Sequence, residues 1–206
     1  VKFVALMPRG VSGERVLIIR RYGGEVILTD PERGVLGAIE ESRRMAEADP
    51  TIFLPRQFET PLHALAHQRA TGPELIAQVD GVIDGFVAGV GTGGTLMGVA
   101  SALRESGHAS RVAAARPEKG VCFEDQPEIC GGIPGVVDGL SSILDAEAIG
   151  LGEPICVPDW EAVTAARELC RKGFPVGPSS GLNYAAARRL ALQLGIDLRE
   201  SFASGA

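Results

Sequence analysis

The chain has 206 residues, 45% of them hydrophobic and 22% charged, with a formal net charge of −6. That balance fits a globular protein with a sizeable core, in one large domain or two small ones. It argues against a nucleic-acid or anionic-membrane surface, and no apolar run approaches the length of a membrane span. In chain order, Lys2–Met7 reads as an apolar strand broken by Pro8 and Gly10. Val1–Leu6 is too short for the core of a signal peptide. Ser12 is placed to cap a helix over Arg15–Tyr22, ended by Gly23-Gly24. Glu25–Thr29 is the next strand, Asp30-Pro31 a turn, and Gly34–Ala48 an amphipathic helix with Val35, Leu36, Ile39 and Met45 inward. Strand, helix, strand, helix is the grammar of a parallel sheet with right-handed crossovers.

Thr51–Leu54 reads as a short buried strand, followed by a loop at Pro55–Phe58. Ligands in open α/β sheets gather at such strand ends. His63 and His67 stand four apart on a helix expected over Leu62–Arg69. That spacing can serve a metal, but H-E-x-x-H needs Glu where Ala64 stands, and no third ligand is apparent, so the expectation is a solvated helix face. Val82 begins an apolar strand that runs into Gly89-Val90-Gly91-Thr92-Gly93-Gly94-Thr95, with a helix from about Leu96 to Arg104 behind it. A loop free of side-chain bulk can turn its N–H groups around an oxyanion. The helix dipole favours negative charge at the same place, and Thr92 and Thr95 add hydroxyl donors. Gly91, Thr92, Gly93, Gly94 and Thr95 therefore read as a phosphate cup. The plainer alternative is a tight strand-to-helix turn.

The loop also satisfies G-x-G-x-x-G, which in dinucleotide sites is answered by a carboxylate at the end of the next strand. That strand, Arg111–Ala115, ends instead in Arg116-Pro117, leaving an NADP site through Arg116 as an outside alternative. Glu118–Ile129 is a polar loop, followed by the glycine-rich Gly131–Gly139. Glu153–Val157 is a strand, Asp159 a cap for a helix over Trp160–Lys172, and Ser179 a cap for a last helix over Leu182–Leu194 ended by Gly195. Cys122, Cys130, Cys156 and Cys170 lack C-x-x-C spacing and nearby histidines. They read as small buried hydrophobes in a reducing, cytoplasmic setting, with Cys122 the exception because it sits in a polar loop.

Several of these pieces, in order, resemble the cysteine synthase and cystathionine β-synthase family, pyridoxal-phosphate enzymes of the tryptophan-synthase-β fold. Gly89–Thr95 resembles the family's phosphate loop. Met7-Pro8 with Ser12, Glu14 and Arg15 resembles its "MPETMSxER" segment, Gln57-Phe58-Glu59 with Pro61 its "QFENP", Thr71–Leu75 its "TGPEI", and Ser179-Ser180-Gly181 its "GISSG". Gly131–Gly139 partly resembles "IQGIGAGF", with Val137 in place of a glycine. The resemblance covers Lys2 to about Leu194. It implies an α/β fold of the fold-type II kind: parallel twisted sheets with helices on both faces, in two incomplete domains. Residues 1–60 would be the rest of a smaller, mobile domain and residues 61–206 a larger cofactor-binding one.

The same resemblance implies pyridoxal 5′-phosphate held by Gly91–Thr95, with Ser179 facing the pyridine nitrogen. Gln57 and Gly135 would bind substrate. The reaction implied is β-replacement on an O-activated serine, through an aminoacrylate, by a homodimer acting on small amino acids. The family's reactive lysine lies in an "S-x-K-x-R" segment, and its carboxylate loop reads "TSGNTG"; neither occurs here. Lys2, Lys119 and Lys172 are all poorly placed, so the Schiff-base lysine is expected outside this chain. The chain thus resembles a later portion of the family, without its opening third or last strand. The alternative is a truncated, non-catalytic paralogue that binds a phosphate ligand or a full-length partner. Bare sheet edges and apolar faces are expected if the chain stands alone.

Overall fold

The computed structural model describes residues 1–118, 133, 135, 136 and 141–197. Lys119, Cys122, Cys130, most of the glycine-rich segment 131–139 with Val137, and the tail lie outside the described residues. Two compact units divide the chain, Val1–Arg56 and Gln57–Ala206.

In the first unit, β1 (Val4–Pro8) and β2 (Glu25–Thr29) pair in parallel, joined by α1 (Gly13–Arg21). A 3₁₀ turn over Pro31–Arg33 leads into α2 (Gly34–Ala48). Asp30 caps the turn by accepting from Glu32 N–H at 2.9 Å. Ser12 does sit at the start of α1, but its side chain makes no cap bond. Burial is slight. α1 buries nothing despite its helical spacing, and α2 buries only Gly37 and Ala38, with Leu36 55% exposed rather than inward. Phe3, Leu17, Ile18, Tyr22 and Phe53 are exposed as well. Thr51–Leu54 is irregular instead of a strand. Asp49 explains this: its carboxylate takes the Thr51 N–H at 2.9 Å and its carbonyl takes the Ile52 N–H at 3.1 Å. Backbone donors spent on a local turn are lost to a ladder.

The second unit carries a parallel three-stranded sheet ordered β3 (Gly85–Gly89), β4 (Arg111–Glu118), β5 (Ile155–Pro158). Alternation along the strands loads both faces. Ala88 and Val112 pack with Leu96 and Ala100 of α5 (Gly94–Glu105). Ala113, Ala115, Ile155 and Val157 pack with α6 (Asp159–Arg171) and α7 (Pro178–Gln193). Helices therefore cover both faces of a parallel sheet, which is the expected fold class. α3 (Pro61–Arg69) and α4 (Thr71–Gln78) lie against α5.

Several boundaries differ from expectation. β3 starts at Gly85 rather than Val82, because side chains take the Ile83 backbone groups: its N–H donates to His108 Nδ1 at 3.4 Å and its carbonyl accepts from Ser110 Oγ. β4 runs on through Arg116 and Pro117, which pair with Cys156 and Val157 of β5. Pro117 is tolerated there because β3 has already ended at Gly89, opposite Ala115. Asp159 is the first residue of α6 rather than its cap, and is buried. Cys156 is half-buried, and Cys170 is exposed on the last turn of α6 rather than buried.

Candidate functional site

The glycine loop connects the C-terminal end of β3 to the N-terminus of α5. Gly93 is the helix N-cap in the left-handed region, φ +81°, where a side chain is strained. The first helical bond runs from Met97 N–H to Gly93 O at 3.0 Å, so the N–H groups of Thr95 and Leu96 have no earlier turn to bond, while Gly94 N–H reaches back to Thr92 Oγ1 at 3.4 Å. Three neighbours close tightly on the loop. A Cβ at Gly93 would lie 2.9 Å from Ser141 Oγ, one at Gly94 would lie 2.7 Å from the His63 ring, and one at Gly91 would collide with the carbonyl of Gly135. The donors gathered here are backbone N–H groups at a helix start and the hydroxyls of Thr92 and Thr95. Such a set fits a phosphate dianion.

Gly135 thus stands beside the loop, at φ +90°, and Val136 packs toward Gly89. Gln57 is exposed, but the next residue is tied to the loop by two steps. Phe58 O accepts from Ser142 N–H at 3.0 Å and from Ser142 Oγ at 3.1 Å, and Ser141 Oγ donates to Thr92 O at 2.7 Å. Ser141 gave no signal in the sequence.

Ser179 is not the helix cap. Gly177 is, with Pro178 at the first helical position and Ser179 second. α7 runs antiparallel to β3: Gly85 faces Leu190 and Leu194, while Gly89 faces Leu182 and Asn183. Asn183 Oδ1 accepts from Gly89 N–H at 2.8 Å, which anchors the point where strand becomes loop. Ser179 is one turn earlier on the same helix face. That places it about 6 Å nearer the N-terminus of α7 than Asn183.

His63 and His67 are half-buried against α5, not on a solvated face. His63 Nδ1 is 3.0 Å from Thr92 Oγ1, His67 Nε2 is 3.3 Å from Thr95 Oγ1, and His67 Nδ1 is 2.9 Å from Thr71 Oγ1. Their ring centroids are 5.2 Å apart. Burial, and then the neighbouring His63, hold the His67 pKa below the ordinary histidine value. No cluster of three or more metal-ligating side chains occurs among the described residues.

Lys2 and Lys172 sit in surface ion pairs, with Glu25 at 2.9 Å and Glu168 at 3.0 Å. Arg116 lies inside β4 rather than at a strand end, and its guanidinium reaches Cys156 Sγ at 3.1 Å. Among the described residues no helix is long and apolar enough to cross a membrane.

Known proteins resemble this chain in sequence and in fold. The family described as "Pyridoxal-phosphate dependent enzyme" matches residues 1–200. Cysteine synthase B of Campylobacter jejuni is 33% identical over 192 residues, 93% of this chain and 64% of that protein. A Staphylococcus aureus cysteine synthase is 35% identical over 203 residues, 94% of this chain and 63% of its own. The crystal structure of the O-acetylserine dependent cystathionine β-synthase from Helicobacter pylori superposes with a TM-score of 0.81 at 31% identity, over 94% of this chain and 63% of that one. The chain therefore spans less than two-thirds of the length of these relatives. It belongs to the pyridoxal-phosphate-dependent enzyme family and is similar to part of its cysteine synthase and cystathionine β-synthase members.

Proposed function

We propose that this chain carries the phosphate and pyridine contacts of an enzyme that performs β-replacement on an O-activated serine, in the manner of a cysteine synthase. One observation carries the reading. A donor-lined glycine loop sits at a strand's C-terminal end, and α7, the helix that bears Ser179 near its start, holds the Gly89 N–H at the base of that loop through Asn183. Pyridoxal 5′-phosphate, when bound, supplies the electron sink for elimination and re-addition at the β-carbon.

In this reading the N–H groups at the start of α5 and the hydroxyls of Thr92 and Thr95 hold the phosphate. Ser179 presents a neutral hydroxyl to the ring nitrogen, which leaves that nitrogen largely unprotonated and tempers the sink. The exposed Gln57 side chain donates an amide N–H to the substrate carboxylate without adding charge. Gly135 borders the substrate side of the loop. Val1–Arg56 would correspond to the smaller domain and Gln57–Ala206 to the larger. The reading extends to a cytoplasmic homodimer, whose stoichiometry sedimentation velocity would check.

The test is titration of the chain with pyridoxal 5′-phosphate, followed by its absorbance and fluorescence. Saturable binding that is lost in Gly93→Trp is expected. Borohydride reduction of the complex is expected to leave the intact mass of the chain unchanged, since the Schiff-base lysine is placed elsewhere. Absence of saturable binding would overturn the reading.

A further inference from the structure

A threonine hydroxyl has one proton to donate and two lone pairs to accept with. At Thr92 both lone pairs have partners in reach: Gly94 N–H at 3.4 Å and His63 Nδ1 at 3.0 Å. We infer that His63 is a positioning residue of the anion cup, donating from Nδ1 to Thr92 Oγ1 so that the threonine's own proton is aimed at the phosphate. The inference rests on the reading of the loop as the cofactor's phosphate site.

The opposite tautomer gives the wrong site. If Thr92 donated its proton to Nδ1, the hydroxyl would turn a lone pair toward the anion, and an attractive contact would become a repulsive one. A bound dianion therefore selects the Nδ1–H form, and that form in turn favours the dianion. The ring has little freedom to evade this role. Its edge lies where a Cβ on Gly94 would be, 2.7 Å from Cγ and Nδ1, and the tilted His67 ring stands behind it. His67 is itself bonded to Thr71 and Thr95. Thr92 is gripped at both ends, its hydroxyl by His63 of α3 and its carbonyl by Ser141. The loop thus has a second layer of side chains that orients the groups meeting the ligand.

The test compares dissociation constants of pyridoxal 5′-phosphate and of pyridoxal, which lacks the phosphate, for the full chain and for His63→Leu, His63→Asn, Thr92→Val and the His63→Leu/Thr92→Val double variant. Loss of a directed donor to a charged group predicts about ten- to hundredfold weaker binding of pyridoxal 5′-phosphate by His63→Leu. Pyridoxal affinity should not change. His63→Asn, which keeps an N–H donor, should stay close to wild type. In the Thr92→Val background His63→Leu should cost nothing further, because its effect passes through that hydroxyl.

Equal weakening of both ligands, an undiminished effect in the Thr92→Val background, or wild-type affinity in His63→Leu would each overturn the inference. A second measurement needs no variant: ¹⁵N NMR of the histidines in the complex should find His63 protonated at Nδ1, and protonation at Nε2 alone would refute it. The two levels fail separately. Wild-type binding that Gly93→Trp abolishes but His63→Leu does not touch sinks the inference and leaves the phosphate site standing. No binding by the wild-type chain sinks both.

Discussion

Gly181 sits in the first turn of α7, two residues after Ser179, where that helix crosses α6. In Gly181→Ala the new Cβ would lie 2.6 Å from Ala166 N and 2.9 Å from Ala166 Cβ, and closer still to the carbonyl of Ala162. Ordinary contact begins near 3.4 Å, so against Ala166 N alone the methyl is about 0.8 Å too close. Two of those three atoms are helix backbone and cannot swing aside. Helix propensity pulls the other way, by about 1 kcal/mol in favour of alanine. Parting the helices by most of an ångström forfeits a quarter to a half of each dispersion contact across the face. That face holds Ala162, Ala165, Leu182, Ala185 and Ala186, all buried. Overpacking costs about 1–3 kcal/mol, and a clash with fixed backbone belongs in the upper part of that range, about 2–3 kcal/mol; less the propensity gain of about 1 kcal/mol, a net loss of about 1–2 kcal/mol is expected. For a unit of this size that lowers the melting temperature by roughly 2–8 °C. Gly13→Ala is the control: it has an ordinary φ and nothing within 4 Å of the new methyl, so it should be neutral or slightly stabilising. Thermal unfolding by circular dichroism decides. A Gly181→Ala variant as stable as wild type would mean that α6 and α7 do not approach as closely as described.

Two further outcomes follow from the same contacts. Asn183→Leu removes the acceptor of Gly89 N–H and leaves that donor without its partner, a loss of about 1–3 kcal/mol by urea unfolding; Asn183→Asp keeps an oxygen acceptor and should recover most of it. His67 has its pKa lowered by burial and by His63. Between that lowered value and the ordinary one the unfolded chain binds more protons than the folded chain, so this histidine's contribution makes stability fall as pH drops through that window. Melting temperatures measured from pH 8 down to pH 5 should decline more steeply for wild type than for His67→Gln, and parallel curves would count against it.

Where local chemistry decides the structure, the sequence was legible. β2 over Glu25–Thr29 and α2 over Gly34–Ala48 have the expected bounds, because Gly23-Gly24 and Asp30-Pro31 punctuate the chain on either side. The glycine loop and the helix behind it follow from residue type and spacing alone. Errors arose where a tertiary partner or a turn outweighed local pattern. Thr51–Leu54 has the composition of a strand, but Asp49 turns its backbone aside. α4 had no counterpart in the sequence reading, where Thr71–Leu75 stood only as a resemblance; Pro73 falls in the first turn, where its absent N–H costs nothing, and Gly72 is the close-packing point against Ala102. Likewise Pro178 opens α7 rather than preceding it, which moves Ser179 from cap to helix.

The site's hidden members are all brought in from afar. His63 meets Thr92 across 29 residues of sequence, Ser141 meets it across 49, and Asn183 meets Gly89 across 94. No local pattern reports such pairings. One signal did exist, on the other partner. Gly94, Gly98 and Ala102 recur every four residues, which draws a smooth stripe along α5. A stripe without side chains is a seat for another backbone. At Gly98 a Cβ would lie 2.6 Å from His67 Cβ and 2.7 Å from Gln68 N, and at Gly94 it would meet the His63 ring. Reading Gly94 only as a phosphate glycine left the rest of the stripe unexplained. Taken together, these residues require a helix to dock on α5 alongside the loop, and His63 and His67 are the side chains of α3 that this docking carries to Thr92 and Thr95. The same glycines that open the backbone to an anion also admit the helix that orients the hydroxyls around it.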